Sequence, residues 1–190
     1  MARVAETGVK DVFSFIDAND NARLSAYLVG RPQGASARNL QNVSAIMYAL
    51  YRRNHDAVKM LRGRLLSLDL WEASALGEIQ TVRGLVNDPA CKIDELSPDG
   101  LSALQLASFF GRPGVVEILL AHKADPNVVS TNAQRICAIH GATVGRHAEI
   151  VQLLIAAGAD LDARQANGQT ALEIAMKNND EALVKLLTKQ

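Results

Sequence analysis

A block of about 33 residues recurs along this chain, and that recurrence constrains its fold more than any other feature. The clearest copy runs Gly100-Leu-Ser-Ala-Leu-Gln-Leu-Ala-Ser-Phe-Phe-Gly111, then Val115-Val-Glu-Ile-Leu-Leu120, then Ala124-Asp-Pro-Asn127. A second has Cys137-Ala-Ile-His-Gly-Ala142, Ile150-Val-Gln-Leu-Leu-Ile155 and Gly158-Ala-Asp160, and a third Asn167-Gly-Gln-Thr-Ala-Leu-Glu-Ile-Ala-Met176 with Leu183-Val-Lys-Leu-Leu187. Leu104, Ile139 and Leu172 correspond at steps of 35 and 33, and Val116, Val151 and Val184 follow at the same steps. Each block holds two short amphipathic segments and is too small to bury its apolar face alone. Such blocks are stable only when stacked.

Weaker copies extend the array upstream. Leu70-Trp-Glu-Ala-Ser-Ala-Leu-Gly77 with Val82-Arg-Gly-Leu-Val86 is a fourth, and Asp94 stands where the hairpin Asn, Asn127 in the clearest copy, belongs. Ser44-Ala-Ile-Met-Tyr-Ala49 with Val58-Lys-Met-Leu61 is a fifth. The stretch Val12 to Leu28 reads as a degenerate first pair, with Ala22–Leu28 as its second helix. The step from Ser44 to Leu68 is only 24, so roughly nine residues are missing from the loop that should follow Leu61. Two extra residues lie between Asn127 and Cys137.

The segments Ser102-Ala-Leu-Gln-Leu-Ala107, Cys137-Ala-Ile-His-Gly-Ala142 and Thr170-Ala-Leu-Glu-Ile-Ala175 resemble the T-P-L-H-x-A signature of the ankyrin family. Each is followed by a Val/Ile and Leu-Leu helix, which strengthens the resemblance. It implies an all-α solenoid of stacked antiparallel helix pairs joined by short β-hairpin or loop fingers, with about five to six repeats. On this reading residues 1–190 form a single domain. A degenerate capping pair spans about 10–43, a short repeat 44–67, full repeats about 68–101, 102–136 and 137–169, and a C-terminal capping repeat 170–190.

Local chemistry supports helices in these places. Ser102 and Thr170 are good N-caps, and Gln105 and Glu173 three residues later complete capping boxes. Ala73, Ala107, Ala142 and Ala175 allow neighbouring helices to approach closely. Gly158 is placed to end its helix in the left-handed conformation, and Lys123 holds the same place one unit earlier, where a side chain is strained. The last pair offers a polar outer surface with Lys177, Asn178, Asn179, Asp180, Glu181, Lys185 and Lys189.

Composition narrows the function. Twenty Lys plus Arg balance twenty Asp plus Glu, without the basic surplus or basic run that marks a nucleic-acid or electrostatic membrane binder. No segment reaches the roughly 20 apolar residues of a membrane helix, and the first ten residues make a poor secretory signal. Two cysteines, Cys91 and Cys137, cannot build a disulfide framework, so a cytoplasmic, reducing setting is expected.

No catalytic grouping, metal site or cofactor is expected. The four histidines, His55, His122, His140 and His147, have no metal spacing with one another or with the cysteines. Gly141 and Gly145 lie in a helical pattern and make no phosphate loop. Asp94, Asp125, Asp160 and Asp162 recur with the repeat and belong to turns. In the ankyrin signature the histidine at the place of His140 bonds backbone between units, and His147 falls at a turn the family often fills with His.

What repeat packing leaves unexplained is surface. The resemblance implies that finger tips and first-helix ends line a concave face where partner proteins dock. Those places hold Tyr51, Arg52, Leu76, Phe109, Phe110 and Val144, with Leu101 and Gln134 on the fingers. Half of the phenylalanines sit together at Phe109-Phe110, with Phe110 favoured as the outward ring. Aromatic and Arg side chains carry a large share of interface energy. The expected function is a non-enzymatic, monomeric adaptor, scaffold or inhibitor that binds one protein. The alternative is an effector or immunity-type regulator of a foreign or toxic enzyme.

Overall fold

The computed structural model describes residues 12–188, and the chain divides into two compact units, 1–68 and 69–190. Helices account for the regular structure of both. The fingers are tight loops, and among the described residues the β-type pairing is one isolated antiparallel bridge, Arg38 with Ser44.

The first unit begins with α1 (12–17) and α2 (Asn21–Gly30), the degenerate pair expected from the sequence. A 3-10 turn, Pro32–Ser36, leads to a finger and then to α3 (Ala45–Tyr51) and α4 (His55–Arg62). Asp20, Ser44 and Asn54 cap α2, α3 and α4 by accepting from backbone N–H groups of Arg23, Met47 and Ala57. The core joins Ile16, Leu24, Leu28, Ile46 and Leu61, all buried. Phe13 meets Tyr48 edge-on at 5.1 Å, and Asn54 Nδ2 donates to Asn21 Oδ1 at 2.9 Å. Between α4 and Asp69, residues 63–68 form a short connection without a finger, as the short step requires.

The second unit is four helix pairs in two layers. The inner layer is α5 (Leu70–Leu76), α7 (Ala103–Phe109), α9 (Ala138–Val144) and α11 (Ala171–Lys177). The outer layer is α6 (Ile79–Val86), α8 (Pro113–Ala121), α10 (Ala148–Ala156) and α12 (Glu181–Thr188). Successive inner helices pack on one another, as do successive outer ones, and each pair packs across the layers. Leu104, Leu106, Leu119, Ile139, Ile150, Leu154 and Leu183 fill the space between layers. Removing each from water contributes about 1.5–3 kcal/mol, which a single pair could not collect.

Capping boxes set where the inner helices start. Ser102 and Thr170 form them with Gln105 and Glu173 as expected, and Asp69 forms another with Glu72. The Asp69 box corrects the register of the weak copy. The cap stands 25 residues after Ser44, and the close-packing position of α5 is filled by Ser74 rather than Ala73. Ser74 and Ser108 are fully buried, and their hydroxyls have no hydrogen-bond partner.

Gly158 is left-handed at φ +84°, and Lys123 is forced to φ +69° at the equivalent place, as the sequence implies. At such angles a β-carbon crowds the carbonyl, so the lysine is strained where glycine is not.

The fingers share one construction. Ser97 N–H donates to Leu101 O at 2.8 Å, and Ser97 Oγ accepts from Leu101 N–H at 3.0 Å. The longer finger repeats this with Ser130 and Ile136, its two extra residues folded under an Asn132 side chain that accepts from Gln134 N–H. In the first unit Asn39 plays the serine's part, its Oδ1 accepting from both Gln41 and Val43 N–H groups. Backbone bonds link the fingers of the second unit: Thr131 N–H to Gly100 O at 3.0 Å, and Ala166 N–H to Gln134 O at 2.8 Å.

Candidate functional site

Every inner helix of the second unit is seven residues long, so its last residue recurs at one place on the surface. These residues are Leu76, Phe109, Val144 and Lys177. Leu76 is half-buried, Phe109 is 39% exposed and Val144 is 50% exposed. An apolar row therefore runs across three packed helices and ends in a cation. Its ring pair is T-shaped, with Phe109 and Phe110 centroids 5.1 Å apart at 83°. The order of exposure differs from the sequence expectation. Phe109 faces solvent, whereas Phe110, at the helix cap, is half-buried.

The backbone under the row is held from both sides. Gly141 leaves no side chain against Phe109, whose backbone lies about 3.5 Å from where a β-carbon would stand. His147 lies over Gly111 and Gly145, and its Nε2 is 3.2 Å from Phe109 O. Arg112 takes the same place one repeat earlier, packing on Gly77 and donating from Nε to Ala75 O at 2.9 Å. Burial lowers the Arg112 pKa from its usual value, but a guanidinium keeps its charge in a protein. Arg146 reaches forward, donating from Nη2 to Asn178 O at 2.9 Å. These cations satisfy carbonyls left over at helix C-termini and oppose the negative end of the helix dipole. The sequence singled out His147 but not Arg112 or Arg146, although all three stand in equivalent turns between an inner and an outer helix.

The finger candidates flank this row. Leu101, half-buried, directly precedes the Ser102 cap. Gln134 is exposed, and its carbonyl is engaged by Ala166. Tyr51 and Arg52 belong to the first unit. Tyr51 ends α3 half-buried, and Arg52 Nη2 is 2.9 Å from Asp17 Oδ1, both side chains about half exposed. Tyr48 Oη donates to the same Asp17 oxygen at 2.8 Å, and that hydrogen bond, with burial next, raises the Tyr48 pKa.

His140 has the role between repeats that the signature implies. Its Nδ1 accepts from Cys137 N–H at 3.1 Å, which leaves the proton on Nε2 to be donated to Ala163 O at 3.0 Å. Burial depresses its pKa, so the neutral ring is the stable form. Gln105 does the same work one repeat earlier. Its Oε1 accepts from Ser102 N–H, and its Nε2 donates to Val128 O and Ile136 O, each at 2.7 Å.

Cys91 and Cys137 are free thiols. Burial first, then nearby carboxylates, raises the pKa of both and suppresses the thiolate that a nucleophile needs. Among the described residues no three His, Cys, Asp or Glu side chains gather to hold a metal ion. No described helix is long and apolar enough to cross a membrane.

Comparison with known proteins agrees with this architecture. The family model "Ankyrin repeat" matches residues 99–131, and "Ankyrin repeats (3 copies)" matches 129–190. Ankyrin repeat and SAM domain-containing protein 6 of Rattus norvegicus is 31% identical over 121 residues, covering 63% of this chain and 14% of the relative. The nuclear factor NF-kappa-B p105 subunit of Gallus gallus is 29% identical over 136 residues, covering 70% and 14%. An L-asparaginase of Dirofilaria immitis is 25% identical over 186 residues, covering 79% of this chain and 30% of the enzyme. The chain thus spans 14% of the length of the first two relatives. With matched repeats over 99–190 and the same capped helix pair recurring upstream at Asp69, the chain belongs to the ankyrin-repeat proteins.

Proposed function

We propose that the chain is a non-enzymatic protein-interaction module, a cytoplasmic monomer that works as an adaptor, scaffold or inhibitor. Its partner docks on the inner-helix ends and fingers of the second unit: Leu76, Phe109, Phe110 and Val144, flanked by Leu101 and Gln134. Tyr51 and Arg52 form a separate contact of the first unit. The observation that carries this reading is Phe109, an exposed ring at the centre of an apolar row on backbone fixed by His147 and Gly141. A rigid aromatic anchor loses little side-chain entropy on binding and removes a large apolar area from water. The asparaginase likeness does not favour catalysis, because it covers less than a third of that enzyme and both thiols here are pushed towards their inert form.

The test is affinity capture from the native cell with wild-type chain and a Phe109→Ala variant, alongside thermal melting of both. Capture of a specific partner should fall at least about tenfold, since anchor truncations exceed about 2 kcal/mol, while the melting temperature moves by only a few degrees. Intact capture by the variant would sink the reading.

A further inference from the structure

The balanced net charge is an average of two opposite halves. Residues 1–68 hold ten Lys and Arg against five Asp and Glu, whereas residues 69–190 hold ten against fifteen. The excess is sharper between residues 31 and 64, where seven Lys and Arg face a single acid, Asp56. Repeat packing does not call for this, because the positions that stack the helices are apolar.

Three of these cations, Lys59, Arg62 and Arg64, lie at the end of α4 and on the finger-less connection behind it. Ala57 and Leu61 bury one side of α4, which leaves Lys59 exposed on the opposite side, with Arg62 half-buried three residues on. Arg62 Nη1 donates to Leu65 O at 3.2 Å, and Arg64 Nη1 donates to Met60 O at 2.9 Å. These crossing bonds fix both guanidinium groups against backbone rather than leaving them to wander. Arg64 spends one of its five N–H donors on this bond. Next to them Leu66 stands fully exposed, with Leu65 half-exposed beside it.

We propose that Lys59, Arg62, Arg64 and Leu66 form a docking surface for an acidic protein segment carrying an apolar side chain. Guanidinium forks held in place match carboxylates with two parallel hydrogen bonds. The bare leucine separates such a partner from a nucleic acid, whose phosphate backbone offers nothing apolar to cover it. The proposal rests on the reading of the chain as a protein-binding module, but uses other residues, in the other unit, than the Phe109 row.

Binding of a fluorescent peptide of glutamates flanking two leucines, measured by anisotropy with the full chain, tests it. A DNA duplex of equal charge serves as comparison. The peptide should bind saturably, and Lys59→Glu/Arg64→Glu should weaken it at least about tenfold, as reversal turns attraction into repulsion. Leu66→Ser should weaken the peptide about threefold and leave the duplex unaffected. Phe109→Ala should leave peptide binding unchanged, so loss of partner capture in that variant and loss of peptide binding here are independent results. If charge reversal disturbs melting, Lys59→Ala/Arg64→Ala carries the same comparison. Equal peptide binding by the reversed chain overturns the proposal. So does a duplex bound as tightly as the peptide, or a peptide displaced by Phe109→Ala. Sedimentation that becomes monomeric only on charge reversal would assign the surface to a second copy and overturn it too.

Discussion

The two units meet the same backbone problem with different residues. Each repeat needs left-handed residues at its finger tip and between its helices, and some repeats need a third after the outer helix. In the second unit five of these places are glycine, Gly77, Gly100, Gly111, Gly158 and Gly168, with φ between +68° and +84°, and four carry a side chain, Lys123, Arg135, Arg146 and Asn179, with φ between +49° and +69°. Among described residues of the first unit they are Asn19, Asn42 and Arg53, at φ +52°, +61° and +55°. The path of the chain is therefore the conserved quantity, and glycine is only the least strained way to follow it. Asn tolerates the left-handed region better than other residues with a side chain, which suits Asn19 and Asn42, while Arg53 has no such help.

The comparison breaks most readily at the finger tips. A β-carbon on Gly100 would stand 2.6 Å from Thr131 Oγ1 and 2.8 Å from Asn132 N, on top of the left-handed strain. Gly100→Ala should cost about 2–3 kcal/mol, and the exchange of the α7 and α9 amides should accelerate accordingly. Asn42→Ala, already adapted to a side chain, should cost only about 1 kcal/mol. Amide hydrogen exchange reads each unit by itself, which matters because two units need not unfold as one. Equal losses in the two variants would mean that the finger–finger contact at Thr131 contributes nothing.

The same contrast explains what the sequence disclosed. In the second unit the glycines, the Ser and Thr caps and the adjacent leucines all point to one register, and family models match from residue 99 onwards. In the first unit the finger closes on Asn39 instead of Ser97 and turns on Asn42 instead of Gly100, so the signals that identify a finger are missing although the finger is present. The Asp69–Glu72 box was readable as a D-x-x-E pattern, yet alignment on alanines placed Ala73 where Ser74 belongs. For the candidate site, the row of helix ends was legible because it follows from the period. Which phenylalanine faces outward was not, since it depends on the cap angle at Phe110 and on how closely Gly141 lets α9 approach. Arg112 and Arg146 lay hidden for a related reason. Their bonds join residues more than 30 apart, and no local pattern records them.

Acid separates the units in a second, smaller way. The described part of the first unit holds one histidine, exposed His55, while the second unit buries His140. Burial holds the folded His140 pKa below the ordinary value of 6.5. The unfolded chain therefore takes up the proton first, so the stability tied to the neutral ring is present above about pH 6.5 and is lost as pH falls from there through the folded pKa. Protonation also removes the lone pair on Nδ1 that accepts from Cys137 N–H. Exchange of the α9 amides, corrected for intrinsic rate, should quicken on going from about pH 7.5 to about pH 5.5, with no matching change in α3. His140→Gln should abolish the difference, because Gln105 shows that a glutamine makes the same bonds without titrating. A pH response that survives this substitution would place the sensitive group elsewhere.

The smallest effect bears on the comparison most directly, because it asks whether strain persists where glycine is absent. Lys123 and Gly158 occupy equivalent places after α8 and α10, and Gly158 has open space around it. Nothing but the backbone then distinguishes them. Lys123→Gly should relieve about 1 kcal/mol of left-handed strain and lose part of it again to the greater freedom of glycine in the unfolded chain, for a net gain of about 0.5 kcal/mol. Arg53→Gly should gain a similar amount in the first unit, where φ is +55°. Urea unfolding resolves such differences if both variants are measured against the same baseline. A loss in Lys123→Gly with a gain in Arg53→Gly would show that the lysine side chain contributes something at the end of α8 that its angle does not reveal, and the equivalence of the two units' turns would then hold for the backbone path alone.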